Sequence, residues 1–389
     1  MRAGNRLFKL LEIQPRNLKA KAEQLGIAAD TMKHYDGANI LPSKRDLEKI
    51  QKVLGIAPVQ VMAAMGIVNT EILHAITEHW KEIASWIPAA ATEKAAKLEP
   101  TFTTSKGKLY QADCVTLMKQ LKPESVDLIF ADPPFNLDKQ YASGIDDNLA
   151  SEQYLQWCEQ WLEECINILK PGGGLFIWNI PKWNVPIAEY LSKRLTFKNW
   201  IANDIKFSLP IQGRLYPSHY SLLYFIKGEK ANYFRPDRMP MDVCRHCYKE
   251  TKDYGGYKNK MNPLGINISD IWTDIPPVRH SKYKKRKEAN ELSLKLMDRI
   301  IEMASKPGDT IFDPFGGSGV TYVAAELKKR KWIGVELGPV DGIIDRFANI
   351  EEENVYLTKL REKYNVLFTP EVTAKRKEKG IWTTETYHH

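Results

Sequence analysis

Two hydrophobic periods divide the chain. Up to about residue 66, apolar positions recur at three- and four-residue steps in short blocks with sharp breaks between them. Leu18-Lys19-Ala20-Lys21-Ala22-Glu23-Gln24-Leu25 is amphipathic and stops at Gly26, as a helix C-terminus often does. A second helix starts near Asp30, a good N-cap residue, and runs towards Tyr35. After the turns at Asp36-Gly37 and Leu41-Pro42-Ser43, a third amphipathic helix fits 46–54. Beyond about residue 108 the period changes, and short apolar runs alternate with amphipathic helices. The runs are Val126-Asp127-Leu128-Ile129-Phe130, Gly174-Leu175-Phe176-Ile177-Trp178, Leu222-Leu223-Tyr224-Phe225-Ile226, Thr310-Ile311-Phe312 and Trp332-Ile333-Gly334-Val335. Strands alternating with helices predict an α/β fold with a largely parallel sheet and helices on both faces.

Between these regions, 67–107 reads as a connector: a helix over 71–86, then a linker rich in Ala, Thr, Ser and Lys. The segment 227–289 is polar, aromatic, glycine-bearing and basic without a period, which suits an insertion on the rim of the sheet. The expected division is a helical domain (1–66), the connector, an α/β domain (108–365) carrying that insertion, and a C-terminal tail (366–389).

Composition narrows the class. The 389 residues include 56 Lys and Arg against 48 Asp and Glu, a net charge of +8, with 43% hydrophobic and 10% aromatic residues. Such a chain buries a sizeable core and is neither disordered nor fibrous. No apolar run approaches the roughly 18 residues of a membrane span, and the basic start leads into a periodic helix instead of a signal-peptide core. Five cysteines are too few for a disulfide scaffold and fit a reduced, cytoplasmic protein. The basic balance is compatible with nucleic acid as a partner.

One strand runs straight into Asp313-Pro314-Phe315-Gly316-Gly317-Ser318-Gly319, followed by a helical pattern from Val320 through Thr321 to Arg330. Glycines at a strand-to-helix turn let the backbone approach a ligand closely, with helix N–H groups facing it. Seventeen residues past Gly319, Glu336 ends the next strand, where a carboxylate can accept from both hydroxyls of a ribose. The loop matches neither the phosphate-binding pattern with Gly-Lys-Ser/Thr nor Gly-x-Gly-x-x-Gly. An acidic residue before the glycines repels a pyrophosphate and suits a cationic amino-acid moiety. That sign points to S-adenosylmethionine.

A second strand opens into Asp132-Pro133-Pro134-Phe135. Consecutive prolines stiffen the backbone, remove two N–H donors and leave carbonyls as acceptors. An exocyclic amine on a base ring is planar and a poor nucleophile. Asp132 and the Pro133 carbonyl, both accepting from that amine, direct its lone pair out of the ring. Phe135 offers an aromatic face to a base taken out of the duplex.

On these two motifs, residues 108–340 resemble the DNA amino-methyltransferases that modify adenine N6 or cytosine N4. The catalytic motif precedes the cofactor motif, so the sheet is a permuted Rossmann-like one, as in the β group of that family. The resemblance places Asp113 and Cys114 beside the cofactor's adenine, sets Asp132 at the border of both sites, and lays a helix over 290–305 against the methionine end. The usual His-Pro start of that helix is replaced by Glu288-Ala289-Asn290-Glu291-Leu292. The Asp of the catalytic motif favours adenine N6 over cytosine N4 in this family. The implied role is restriction-modification or epigenetic marking, with double-stranded DNA as partner and a homodimer as a compatible assembly. A transcriptional regulator built on the same fold is the alternative.

The first 66 residues are similar to phage-repressor-like helix-turn-helix domains. On that resemblance the recognition helix spans 29–35, with Thr31, Lys33 and His34 facing the groove; a module that packs on the rest of the protein is the other reading. The basic run Arg279-His280-Ser281-Lys282-Tyr283-Lys284-Lys285-Arg286-Lys287 is expected to contact phosphates. Cys244-Arg245-His246-Cys247 has the spacing of half a zinc site, but no second pair exists, and no metal is expected.

Overall fold

The computed structural model describes residues 6–38, 40–65, 78–79, 96–137, 149–205, 210, 212–213, 215–275 and 291–386. The expected helix over 71–86 falls almost entirely outside them, and the basic run 279–287, with Arg279, Lys282, Lys284, Lys285, Arg286 and Lys287, wholly outside. The strands are β1 (Phe102–Thr103), β2 (Gly107–Gln111), β3 (Val126–Ala131), β4 (Leu169–Asn179), β5 (Thr196–Asp204), β6 (His219–Ile226), β7 (Arg238–Met239), β8 (Ile266–Asn267), β9 (Ile271–Trp272), β10 (Thr310–Asp313) and β11 (Lys331–Glu336). Among the described residues nine of them form one sheet, in the order β1-β2-β11-β10-β3-β4-β6-β5-β9. The run from β2 to β4 is parallel, and β6 is antiparallel to both β4 and β5.

Alternation along β3 explains the layers. Leu128 and Phe130 join the core beneath helices Leu294–Ala304 and Val320–Leu327. Ile129 and Ala131 point the other way, into the core beneath helices Ser151–Ile168 and Pro181–Ser192. Both faces of the strand are buried, so from Leu128 to Ala131 its sequence is a continuous apolar run and not an alternating one. No helix among the described residues is long and apolar enough to cross a membrane.

The N-terminal region folds as expected into short helices: Arg6–Leu10, Leu18–Leu25, Ala29–Gly37, Lys44–Leu54 and Pro58–Ala64. They enclose a core of their own that includes Leu11, Leu25, Met32, Ile50 and Val61. Gly26, at φ 62°, ends the second helix in the left-handed conformation, and the Ser43 hydroxyl caps the fourth by accepting from the Asp46 amide. The module docks on the α/β domain. Leu41 N donates to the Lys193 carbonyl, and Lys44 N donates to Glu163, whose carboxylate also accepts from Tyr190 Oη at 3.0 Å and Arg194 Nε at 3.2 Å.

This docking corrects the groove-facing assignment of helix Ala29–Gly37. Thr31 and His34 are each only 5% exposed, and His34 lies within electrostatic reach of Glu229 and Lys198 of the α/β domain. Burial lowers the His34 pKa, opposed in part by Glu229. Of the three proposed readers only Lys33 is exposed, and it pairs with Asp30 at 3.0 Å.

Two further expectations change. Residues 366–386, expected as a C-terminal tail, are folded: helix Pro370–Glu378 packs on the insertion, and Leu367, Phe368, Val372 and Trp382 share a core with Met241 and Met261. Arg376, fully buried, lies over the Phe368 and Trp382 rings at 4.3 Å each and donates to the Trp382 and Tyr248 carbonyls. The insertion itself forms the β7–β8 ribbon and returns β9 to the edge of the main sheet. The helix expected from residue 290 begins at Leu294, capped by the Ser293 hydroxyl.

Candidate active site

Strand register brings together motifs that are far apart in sequence. β10 and β3 are parallel neighbours with Ile311 opposite Leu128 and Phe312 opposite Ile129. The cofactor loop and the catalytic loop therefore leave the same edge of adjacent strands, about 5 Å apart across the ladder. On the other side of β10, β11 ends level with β2, Glu336 opposite Gln111, and the Ala112 amide donates to the Glu336 carbonyl at 3.0 Å. Asp113, Cys114, Asp132, Asp313 to Gly319 and Glu336 thus converge on one edge. The carboxyl ends of parallel strands are where open α/β sheets hold ligands.

The glycine loop is held by its neighbours. Gly316 N donates to the Val335 carbonyl, and a Cβ at Gly316 would lie 2.7 Å from the Tyr322 hydroxyl oxygen, so only glycine fits. Gly317 is half-buried at φ 52°, a conformation that strains any other L residue, and a Cβ built there would stand in ordinary contact with the Phe315 carbonyl oxygen at 3.7 Å. Its amide donates to Glu336 Oε2 at 2.7 Å, and Gly338 N donates to Oε1 at 2.8 Å. Each carboxylate oxygen keeps a second lone pair for a ligand hydroxyl.

Asp313 is buried. Its Oδ2 accepts from the Thr321 hydroxyl at 2.6 Å and its Oδ1 from Phe315 N at 2.9 Å. Burial pushes its carboxyl up to about 7; the two hydrogen bonds oppose the shift and the Glu336 charge adds to it. Thr321, 1% exposed, and Pro314, also buried, offer no surface to a ligand; Thr321 serves the site through Asp313. The Phe315 ring packs on Trp161 and Trp157, at 5.1 and 5.7 Å, and so braces the loop against helix Ser151–Ile168. Ser318 faces inward as well, accepting from Arg346. Asp113 caps helix Cys114–Met118 by accepting from Thr116 N at 2.8 Å. Burial pushes the Cys114 thiol up to about 12, so it is no thiolate nucleophile.

The catalytic loop is shaped by partners that sequence reasoning did not single out. Tyr154 Oη donates to the Pro134 carbonyl and Trp183 Nε1 to the Phe135 carbonyl, both at 2.6 Å. Both carbonyls are thus engaged by donors from other elements, which fixes the loop's course after the strand end. Asn136 follows in the left-handed region at φ 53°, and its side chain pairs with both N and O of Leu149, closing the base of the intervening segment. Phe135 is 6% exposed and lies 5.9 Å from the Tyr220 ring, which in turn sits 5.2 Å from Trp178. Only Asn136, adjacent to the motif, carried a local signal. Tyr154, Trp183 and Tyr220 are single aromatics whose relevance depends on strand order. Among the described residues no cluster of three or more His, Cys, Asp or Glu side chains is placed to hold a metal.

Acidic groups, a glycine loop and a proline-stiffened loop thus share the carboxyl edge of an α/β sheet, the class of arrangement that holds a small ligand. The family model of the DNA methylases, of the N6/N4 kind, matches residues 126–340, and the chain belongs to that family. It is 44% identical to the type II methyltransferase M.BamHI of Bacillus amyloliquefaciens, over 98% of this chain and 94% of that one. It is 29% identical to the DNA adenine methyltransferase YhdJ of Escherichia coli (strain K12), over 61% of this chain and 81% of that protein. Among solved structures, the cytosine-N4-specific PvuII DNA methyltransferase aligns with a TM-score of 0.49 at 20% identity, covering 67% of this chain and 95% of that one.

Proposed function

We propose that this protein is a site-specific DNA methyltransferase of the type II restriction-modification kind, acting on the exocyclic amine of a base held at Asp132–Phe135. The observation that carries the reading is the register of β10 on β3, which sets the acceptor loop beside the glycine loop. The residues fit S-adenosylmethionine: Gly317 takes a left-handed backbone conformation with no side chain between it and a ligand, Glu336 retains acceptor capacity for ribose hydroxyls, and Asp313, once ionised, complements a cation. When bound, that cofactor supplies an electrophilic methyl group on a positively charged sulfur.

The chain's own residues do the rest by positioning. Asp132 and the Pro133 carbonyl accept from the two amine hydrogens and turn the nitrogen lone pair out of the ring plane. An aromatic amine is too weak an acid to be deprotonated first, so Asp132 orients and polarises, and the proton leaves after nitrogen has gained its fourth bond. Phe135 is too buried to present its own face, and the half-buried Tyr220 beside it offers the aromatic surface on which an extruded base stacks. Preorganised electrostatics and proximity supply the rate.

The receiving amine is read as adenine N6 on the strength of the carboxylate at the first motif position. The test is transfer of labelled methyl to plasmid DNA followed by nucleoside mass spectrometry. N6-methyladenine supports the whole reading; N4-methylcytosine replaces the base and keeps the amine chemistry; an unlabelled digest overturns both. In parallel, Asp132→Ala is expected to abolish transfer while calorimetry shows nearly unchanged cofactor binding. The burial of Thr31 and His34 favours a bracing role for the N-terminal module over that of a DNA-reading regulator.

A further inference from the structure

Arg346 lies beyond the segment matched by the family model, in helix Asp341–Ala348, and belongs to neither motif. It is 5% exposed, and every nitrogen of its guanidinium is used. Nη1 donates to the Ser318 carbonyl at 3.2 Å, the Ser318 hydroxyl at 3.1 Å and Glu291 Oε1 at 3.0 Å. Nε and Nη2 donate to the two oxygens of Glu353 at 2.8 and 3.2 Å. Breaking such a buried pair leaves an uncompensated charge, so the geometry is strongly held.

A buried ion network of this kind can simply glue helices together. Two observations give it a direction. Arg346 reaches the residue between Gly317 and Gly319, the centre of the cofactor loop, and grips both its carbonyl and its hydroxyl. From the same helix, Ile343 packs so close to Gly319 that a Cβ there would lie 2.6 Å from Ile343 Cγ2. The loop is therefore held from one side by Glu336, on the Gly317 amide, and from the other by helix Asp341–Ala348. Glu291, the third partner, lies three residues before helix Leu294–Ala304, the element expected beside the methionine end of the cofactor.

We propose that Arg346 is a positioning residue for cofactor binding: it sets Ser318 and hence the direction of the Gly317 backbone, and through Glu291 it ties the start of helix Leu294–Ala304 to that setting. This rests on the methyltransferase reading above. A lysine keeps the charge but lacks the planar fork that serves Ser318, Glu291 and Glu353 together. Arg346→Lys should raise the S-adenosylmethionine KM and its calorimetric Kd by roughly 10-fold or more, the scale of charge-assisted hydrogen bonds. At saturating cofactor, kcat and the KM for DNA should stay within about twofold of the parent, because Arg346 touches neither the catalytic loop nor a base.

Glu291→Gln should move the same constants in the same direction by a smaller factor. Thermal melts accompany both variants. A lowered melting temperature with unchanged cofactor Kd in Arg346→Lys makes the residue purely structural and overturns the proposal, as does a fall in kcat with KM unchanged. If Arg346→Lys fails to fold, Glu291→Gln decides in the same way. Lack of S-adenosylmethionine binding by the parent chain would instead overturn the functional reading itself.

Discussion

Thr321 donates its hydroxyl hydrogen to Asp313 across 2.6 Å in a site from which water is excluded, joining the first turn of a helix to the end of the strand before it. The bond holds Asp313 at the head of the glycine loop and lowers the carboxyl's pKa, against a larger upward push from burial. With the carboxyl pushed up to about 7, cofactor binding at this loop should respond to pH in the neutral range.

Asp313 is neutral below about 7 and ionised above it, and an ionised carboxylate is the form that complements a cation. S-adenosylmethionine binding should therefore tighten as pH rises through that value and level off above it. The ligand-free fold behaves oppositely. Because the folded pKa is raised, this group's contribution to stability is complete below the ordinary carboxylate range and is lost as pH rises through about 7. Calorimetry across neutral pH should show the affinity trend, and Asp313→Asn should flatten it. Affinity that falls with rising pH would remove Asp313 from the cofactor's surroundings.

Glu336 uses both carboxylate oxygens, one on Gly317 N and one on Gly338 N. Glu336→Gln places an NH₂ group against one of those amides, a donor facing a donor. Cofactor affinity should fall by about 1.5–3 kcal/mol, the range of hydrogen bonds to charged groups. An unchanged dissociation constant in calorimetry would show that the loop holds its shape without this contact and that no ribose hydroxyl depends on it.

Among the described residues, Thr31 Oγ1 and both ring nitrogens of His34 are buried without a hydrogen-bond partner. Replacing such a hydroxyl with a methyl of the same shape removes a desolvation cost of roughly 1–3 kcal/mol. Thr31→Val should accordingly raise the melting temperature and leave DNA affinity unchanged. His34 has a lowered pKa, so its share of the docking is present above the usual histidine range and is lost as pH falls below it. A drop in DNA affinity for Thr31→Val, measured by fluorescence anisotropy, would return the helix to the groove.

Ending the chain after Asn365 removes Leu367, Phe368, Val372 and Trp382 from the small core they share with Met241 and Met261. Burial of Leu367 and Phe368 alone is worth about 1.5–3 kcal/mol each. The truncated protein should bind S-adenosylmethionine normally and lose site-specific methylation, with proteolytic cleavage appearing between residues 238 and 268. Restriction-protection assays showing unchanged protection of the same site would mean that the C-terminal helix contributes nothing to recognition.

How much was legible follows from the range of the forces involved. The helices at Leu18–Leu25, Ala29–Gly37 and Lys44–Leu54, the strands β3, β4, β6, β10 and β11, Gly26 as a helix stop and the glycine loop all rest on local periodicity, capping and backbone freedom, which a sequence displays directly, whereas β1, β2, β5 and β9 carried no such signal. The two loops stand out in the sequence because the proposed chemistry asks for specific residues in immediate succession: prolines to set Asp132 among acceptors, glycines to let the backbone approach a ligand. Tertiary structure alone decided the rest. The register of Phe312 on Ile129 makes one site from two distant motifs. The donors on Pro134 and Phe135 come from Tyr154 and Trp183 in other elements, and Arg346 arrives from a helix beyond both motifs. The same holds for two of the corrections, since docking hides Thr31 and His34 and a shared apolar core folds the C-terminal segment onto the insertion. Amphipathicity shows that a face will be covered, but which surface covers it depends on the packing of the whole chain.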